Sequence, residues 1–395
     1  MRGVRRALAL REASADVAGV LGRIAGGLAV LCAFLVAASA IGVAGTTFSI
    51  TVAALALASG QMGPRLLRNF VRDAGNQLAL GVFLGTFAYA LLVLRSVRGT
   101  EEGAYVPHLG VTGGLALAPL RVAALVWLVH HIAVGINVDT VIAVVHEDLR
   151  GTMRRTTLAA ADPPSPPAPG GGQAVTLQEG GYLRSLDEEA LADRAAAAEC
   201  VAVLRACPGD HLFSGMVVAH VVGGTGADGG AQVRAALSVG SRQAAAQDPE
   251  FAVRQLVEVA VRALSPGIND PFTAIAVLDH LGSALCDLRT RHLPGAALRR
   301  EGHVVLYRRV TDYDGLCDAM FHMIRQNAAS SAAVLIHLLD VLAAVLAVET
   351  APARSAALRW HADLAHALAA TRESVRVRAA VAALEARHAA LTPER

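Results

Sequence analysis

Hydrophobic and polar positions follow two different regimes along this chain. Ile24–Pro64 is a run of 41 residues without one Asp, Glu, Lys or Arg, Ala74–Leu94 is a second uncharged run, and Leu109–Val145 is a third apolar stretch. A helix crosses a bilayer with about 20 apolar residues, so the first third of the chain predicts membrane spans. From Asp162 onward the pattern is that of a folded domain, with short alternating runs first and a helical period later.

The first run is longer than one span needs. Gly42-Val43-Ala44-Gly45 interrupts its middle, so it reads either as two short spans or as one long span with a polar end at Thr46, Thr47, Ser49 and Thr51. Charge bias sets the orientation. Arg65, Arg68 and Arg72 precede the second run, whereas Arg95 and Arg98 after it are balanced by Glu101 and Glu102. The positive-inside rule then puts the first segment in the cytoplasm and the second outside. With Arg2, Arg5, Arg6 and Arg11 also inside, four spans are expected rather than three, with the C-terminal domain in the cytoplasm of a bacterial inner membrane. Arg121 falls inside the third stretch. It stands at mid-bilayer if the span begins near Leu109, and at the outer interface if the span runs from Val122 to Val145.

The later part begins with Ala161–Gly172, a Pro/Gly-rich flexible or extended linker. Two alternating runs flank Gly180-Gly181, a hairpin signal. Asp187 caps an Ala-rich helix, and Val201–Arg205 and His211–Val222 read as strands around the turn Cys207-Pro208-Gly209-Asp210. Thr225–Gly230 reads as a mobile loop. From Asp248-Pro249-Glu250 the period becomes helical, with one helix to about Leu264 and a second from Asp270-Pro271. His303–Val310 reads as a strand, followed by helices near Asp312–Asn327, Ser331–Val348, Arg354–Arg372 and Ser374–Ala390. The fold class is therefore a membrane α-helical bundle plus a cytoplasmic α+β domain. Its parts are a transmembrane domain over 1–150, a linker over 151–173, a small β-rich module over 174–240 and a helical region over 241–395.

Composition narrows the chemistry. All 35 basic residues are Arg and none is Lys, which excludes a Walker phosphate loop, Schiff-base chemistry and biotinyl or lipoyl attachment. No cofactor is expected. A net charge of +2 gives no field for nucleic acid. The five cysteines form no C-x-x-C pair, and the histidines no H-x-x-x-H or H-E-x-x-H pair, so no metal site is expected. Arg289, Arg291, Arg299, Arg300, Arg308 and Arg309 concentrate positive charge, for which anionic inner-leaflet lipids are the expected partner.

Three stretches carry a family resemblance: Gly45–Phe70 (GTTFSITVAALALASGQMGPRLLRNF), Asn76–Leu94 (NQLALGVFLGTFAYALLVL) and Gln247–Ala274 (QDPEFAVRQLVEVAVRALSPGINDPFTA). Together they resemble the bacterial predicted membrane proteins of domain of unknown function 2254. The resemblance implies a multi-span inner-membrane protein with a C-terminal cytoplasmic domain, and it carries over no activity and no catalytic residue.

Ser265–Thr273 is the leading site candidate. The helix break there aims backbone N–H groups, Ser265, the Asn269 amide and the Asp270 carboxylate at one point, where an ion or ligand could sit. The same residues also suit a plain helix stop and restart. Two functions remain open. One is a channel-like or transport-related homo-oligomer, its polar path lined by Thr46, Thr47, Ser49 and Thr51, with a cytoplasmic gating or assembly domain. The other is a membrane-anchored scaffold or sensor whose cytoplasmic domain binds a partner or ligand. An enzyme using Asp270 and His280 is the third and weakest.

Overall fold

The structure is a computed structural model. It describes scattered positions among residues 17–56, then residues 73–96, 98–100, 103–105, 108–135, 137–224, 229–241 and 249–370. The four-span count rests largely on Ile24–Pro64, most of which lies outside the described residues, as do Thr47, Thr51 and the helix expected over Ser374–Ala390. The chain divides into two compact units, Met1–Asn137 and Val138–Arg395.

In the first unit, α1 (Ala74–Ser96) and α2 (His108–Gly135) flank a short hairpin of β1 (Arg98–Thr100) and β2 (Gly103–Tyr105). Among the described residues, α1 and Leu109–Gly135 of α2 are the two helices long and apolar enough to cross a membrane. They pack antiparallel through Ala79, Phe83, Leu128 and Ile132. At one end of the pair the Tyr89 hydroxyl donates to the Gly110 carbonyl at 3.0 Å; at the other, Gly75 lies against Trp127 and His131. Their outer faces stay apolar, with Leu84 and Leu115 each about two-thirds exposed. In water that much exposed apolar surface would be a liability; against lipid it is a requirement.

The second unit opens with α3 (Val138–Thr156) and then an extended segment. That segment, expected as a flexible or extended linker, runs extended and is docked as a strap. The Asp162 carboxylate accepts from Gly295 N at 2.8 Å, the Ser165 hydroxyl accepts from Ala297 N at 3.1 Å, and the Pro164 carbonyl accepts from Arg299 at 3.0 Å. Prolines cannot extend a ladder, so a Pro-rich strap covers a sheet edge without inviting another strand.

The covered edge is β9 (Ala297–Arg300). It belongs to a five-stranded sheet ordered β3-β7-β5-β10-β9, with β3 at Gln173–Thr176, β5 at Cys200–Leu204, β7 at Val217–Gly223 and β10 at His303–Tyr307. A three-stranded sheet sets β4 (Gly181–Leu186) between β6 (His211–Leu212) and β8 (Leu237–Gly240). Gly180-Gly181 therefore makes no hairpin: β3 and β4 go to different sheets. The sheet also crosses the boundary expected near residue 240: β10 falls on the strand expected at His303–Val310, and β9 was not expected.

Side chains alternate across β5. Ala202 and Leu204 join the main core with Leu183, Leu191 and Leu212, while Val203 faces the opposite side with Ala297 and Tyr307. Two short helices pack beside the sheets: α4 (Glu188–Ala197), capped by Asp187 accepting from Ala190 N at 3.1 Å, and α5 (Gly229–Ala236). The segment read as a mobile loop thus ends in a helix, its residues 225–228 lying outside the described ones.

The helical layer is α6 (Pro249–Ala263), α7 (Pro271–Leu288), α8 (Tyr313–Asn327), α9 (Ala332–Val348) and α10 (Pro352–Ala370). Leu256, Leu278, Leu281, Leu316, Phe321 and Leu338 are all fully buried within it. The α7–α9 contact is close, since a Cβ on Gly282 would stand 2.5 Å from Val341 Cγ1. A Gly282→Ala variant is expected to lose about 1–3 kcal/mol through overpacking. Chemical unfolding of the purified chain in detergent checks this, and an unchanged midpoint would contradict the close contact.

Candidate functional site

Among the described strands only β5 and β10 pair in parallel, Leu306 opposite Ala202 and Tyr307 opposite Val203. Their carboxyl ends lead into one cleft of about 840 Å³. After β5 the chain turns through Cys207-Pro208-Gly209-Asp210, and after β10 it continues as Arg308-Arg309-Val310-Thr311-Asp312; both segments line the cleft. Ligands of open α/β sheets bind outside the carboxyl ends of parallel strands, where neighbouring loops diverge and leave a crevice.

Local sequence builds these walls. Gly209 takes φ 102°, a conformation only glycine adopts without strain, and its N–H donates to the Leu183 carbonyl at 2.8 Å. The Asp210 carboxylate accepts from Cys207 N at 3.1 Å and so closes the turn. The N-terminal ends of α4, α6 and α8 also border the cleft, at Asp187–Glu189, at Pro249-Glu250 and at Asp312 and Gly315. Helix starts carry partial positive charge, which the acidic residues beside them offset.

Most of the charges in the cleft are paired. Arg308 is bonded to Glu188, Arg309 lies 3.3 Å from Asp210, and Arg254 lies 2.9 Å from Glu250, which also accepts from the Thr311 hydroxyl at 2.7 Å. Arg155 differs. Its guanidinium donates to the Thr152 hydroxyl at 3.0 Å, and no carboxylate pairs with it among the described residues. Among the described residues it is a cation of the cleft wall that no carboxylate neutralises.

At Ser265–Thr273 the side chains make the bonds of a helix stop and restart. The Ser265 hydroxyl donates back to the Arg262 carbonyl at 2.7 Å. Asp270 accepts from Phe272 N at 3.1 Å, from Thr273 N at 3.2 Å and from the Thr273 hydroxyl at 2.6 Å, and Asn269 takes φ 50° between the helices. Asp270 and His280 do not meet, since ten residues along one helix separate them by roughly 15 Å. Cys317 is fully buried, and burial pushes its thiol up to about 12, so it stays protonated and unreactive near neutrality.

In the first unit Arg121 sits at the middle of α2, buried, and donates to the Ser39 hydroxyl at 2.8 Å. The alternative span over 122–145 does not form as one helix, because α2 ends at Gly135 and α3 begins at Val138. Thr46 donates to the Gly42 carbonyl at 3.0 Å, and Ser49 is helical and exposed. Sequence reasoning did not single out the pair of Asp73 with His131, 2.8 Å apart, or the stacking of His131 on Trp127.

Over residues 25–344 the chain matches the model of a family of predicted membrane proteins, DUF2254. The chain belongs to this DUF2254 family. It is similar to uncharacterised proteins of Mycobacterium bovis and Mycobacterium tuberculosis, each 34% identical over 342 residues. Those alignments cover 82% of this chain and 65% of the relatives, so the chain spans just under two-thirds of the length of the curated relatives it matches. No solved structure matches it significantly.

Every residue lining the cleft falls inside the stretch that defines the DUF2254 match. The turn at Cys207–Asp210 and the arginines at 308 and 309 were both visible in the sequence, but not that they lie side by side, because only the parallel strand pair brings them together. An Asp270→Ala variant is expected to lose about 1 kcal/mol, the usual worth of a helix N-cap, and to leave the cleft intact. Thermal unfolding in detergent measures this, and a several-fold larger loss would mean that Asp270 holds more than the start of α7.

Proposed function

We propose that this protein is a membrane-anchored sensor whose C-terminal unit binds a small polar ligand in the cleft at the carboxyl ends of β5 and β10. The observation that carries this reading is the cleft itself, about 840 Å³ and bordered by Arg155 and three helix starts. Pockets for small ligands fall in this size range, at roughly 300–1,000 Å³. The charge bias of the loops supports a multi-pass arrangement in the bacterial inner membrane, with the C-terminal unit on the cytoplasmic side.

A channel-like or transport-related homo-oligomer is the second reading, and Arg121 favours it. A charge buried at the centre of an apolar helix is costly and tends to serve function. Thr46 adds less, since its hydroxyl bonds back within its own helix. Anionic lipids are a weaker partner than the arginine count implies. Arg291, Arg299, Arg300, Arg308 and Arg309 all bond to other parts of the protein, among them the Thr157 hydroxyl and the carboxylates of Asp193 and Asp210.

The test is a thermal-shift screen of the full chain in nanodiscs against amino acids, nucleotides and small organic acids, beside an Arg155→Asp variant. The sensor reading expects a stabilising ligand whose affinity falls at least about tenfold in the variant, about 1.4 kcal/mol. Silence in the screen, together with a liposome conductance altered by Arg121→Leu or Thr47→Leu, would overturn it in favour of the channel.

A further inference from the structure

Helix α3 is the first element of the C-terminal unit, and it follows α2 in the chain after only Ile136 and Asn137. It packs against α6 and α7. Its buried face, Ile142, Val145, Leu149 and Met153, is apolar except at His146 and at Thr152, whose hydroxyl accepts from Arg155. That histidine is about nine-tenths buried, and its Nδ1 has no hydrogen-bond partner among the described residues. Its ring lies against the ring of His280 on α7, centroids 4.6 Å apart and planes tilted by 52°. One helical turn further on, Arg150 donates to Asp287 of α7 at 2.6 Å.

A buried imidazole with no acceptor is at ease only while neutral. We infer that the His146–His280 contact makes the packing of α3 on α7 a proton-sensitive latch, closed when His146 is neutral and loosened when it takes up one proton. The charges acting on His146 are His280 and Asp287 from α7 and Glu147 and Arg150 from its own helix. Helix α6, the other element packed on α3, carries Arg254, Glu258 and Arg262, of which Arg254 is paired with Glu250. Asp287 and Glu147 favour the proton, but Asp287 is already bonded to Arg150, and Arg150 with His280 opposes it.

The sign follows from linkage. Burial first, and then His280 and Arg150, hold His146 below the ordinary histidine value of 6.5. When α3 is released, the imidazole titrates at the ordinary value. Below that value the released state therefore binds a proton that the packed state refuses, and packing weakens as pH falls. Above it both states are neutral and the latch is closed. The effect grows until the pH reaches the depressed value of the packed state, and then levels off. The latch rests on the helix contact alone, whether or not the cleft binds a ligand.

Hydrogen–deuterium exchange of the full chain in nanodiscs tests this, at about pH 7.5 and about pH 5.5 with the intrinsic pH dependence of exchange removed. Amides of residues 142–153 are expected to lose protection on acidification, by up to about tenfold per pH unit, the limit for one linked proton. His146→Leu should abolish that loss. His280→Gln, a milder change should the first variant not fold, should shrink it, because the neighbouring imidazole no longer opposes protonation. His361→Gln removes another buried histidine, which contacts Phe321 of α8, and should leave the loss in α3 unchanged. No loss in the unmodified protein, or an equal loss in His146→Leu or in His280→Gln, would overturn the latch.

Discussion

The pairing of β10 with β5 holds the C-terminal unit together. Parallel strands cannot be joined by a tight turn, so the chain must leave the sheet and return by a long crossover. Here the excursion from β5 takes in β6, β7, α5, β8, α6 and α7 before β9 and β10 close the sheet. The pairing thereby fastens the β-rich and helical stretches into one compact unit. It also sets two strand ends side by side, and the cleft opens where the segments after them diverge.

A chain whose basic residues are all arginine uses them as connectors. Arg291 donates to the Thr157 hydroxyl at 2.6 Å and to the carbonyls of Arg154 and Thr157. Arg354 reaches the carbonyls of Leu288, Arg289 and Arg291, where α7 ends with its last acceptors unsatisfied. Arg300 bridges Glu189 and Asp193, tying β9 to α4. A planar fork of five donors suits this work better than an ammonium would. The same geometry lets members of a positive cluster in the sequence serve as ties within the fold.

Two histidine contacts sit at different places in the chain and rest on different physics. His131 finds a carboxylate, Asp73, and an aromatic face, Trp127, so its polarity is answered. His146 finds another histidine, and its buried Nδ1 has no hydrogen-bond partner among the described residues. A satisfied imidazole serves as structure, whereas an unsatisfied one makes the helix contact conditional on its protonation state.

The sequence by itself determined what depends on near neighbours. Asp187, Asp270 and Asp312 each cap the helix expected after them, because a cap needs only a carboxylate and the N–H groups two or three residues on. The ranges of α6, α8 and α9 follow from their apolar period, and the two long apolar helices from their length. Only the tertiary structure decided which strands pair, that a Pro-rich strap lies on β9, that Arg121 reaches Ser39, and that His146 meets His280. Each joins groups roughly 80 to 135 residues apart or chooses among several equally plausible strand partners. Local propensity does not encode such choices; burying the most apolar surface while satisfying every backbone group makes them.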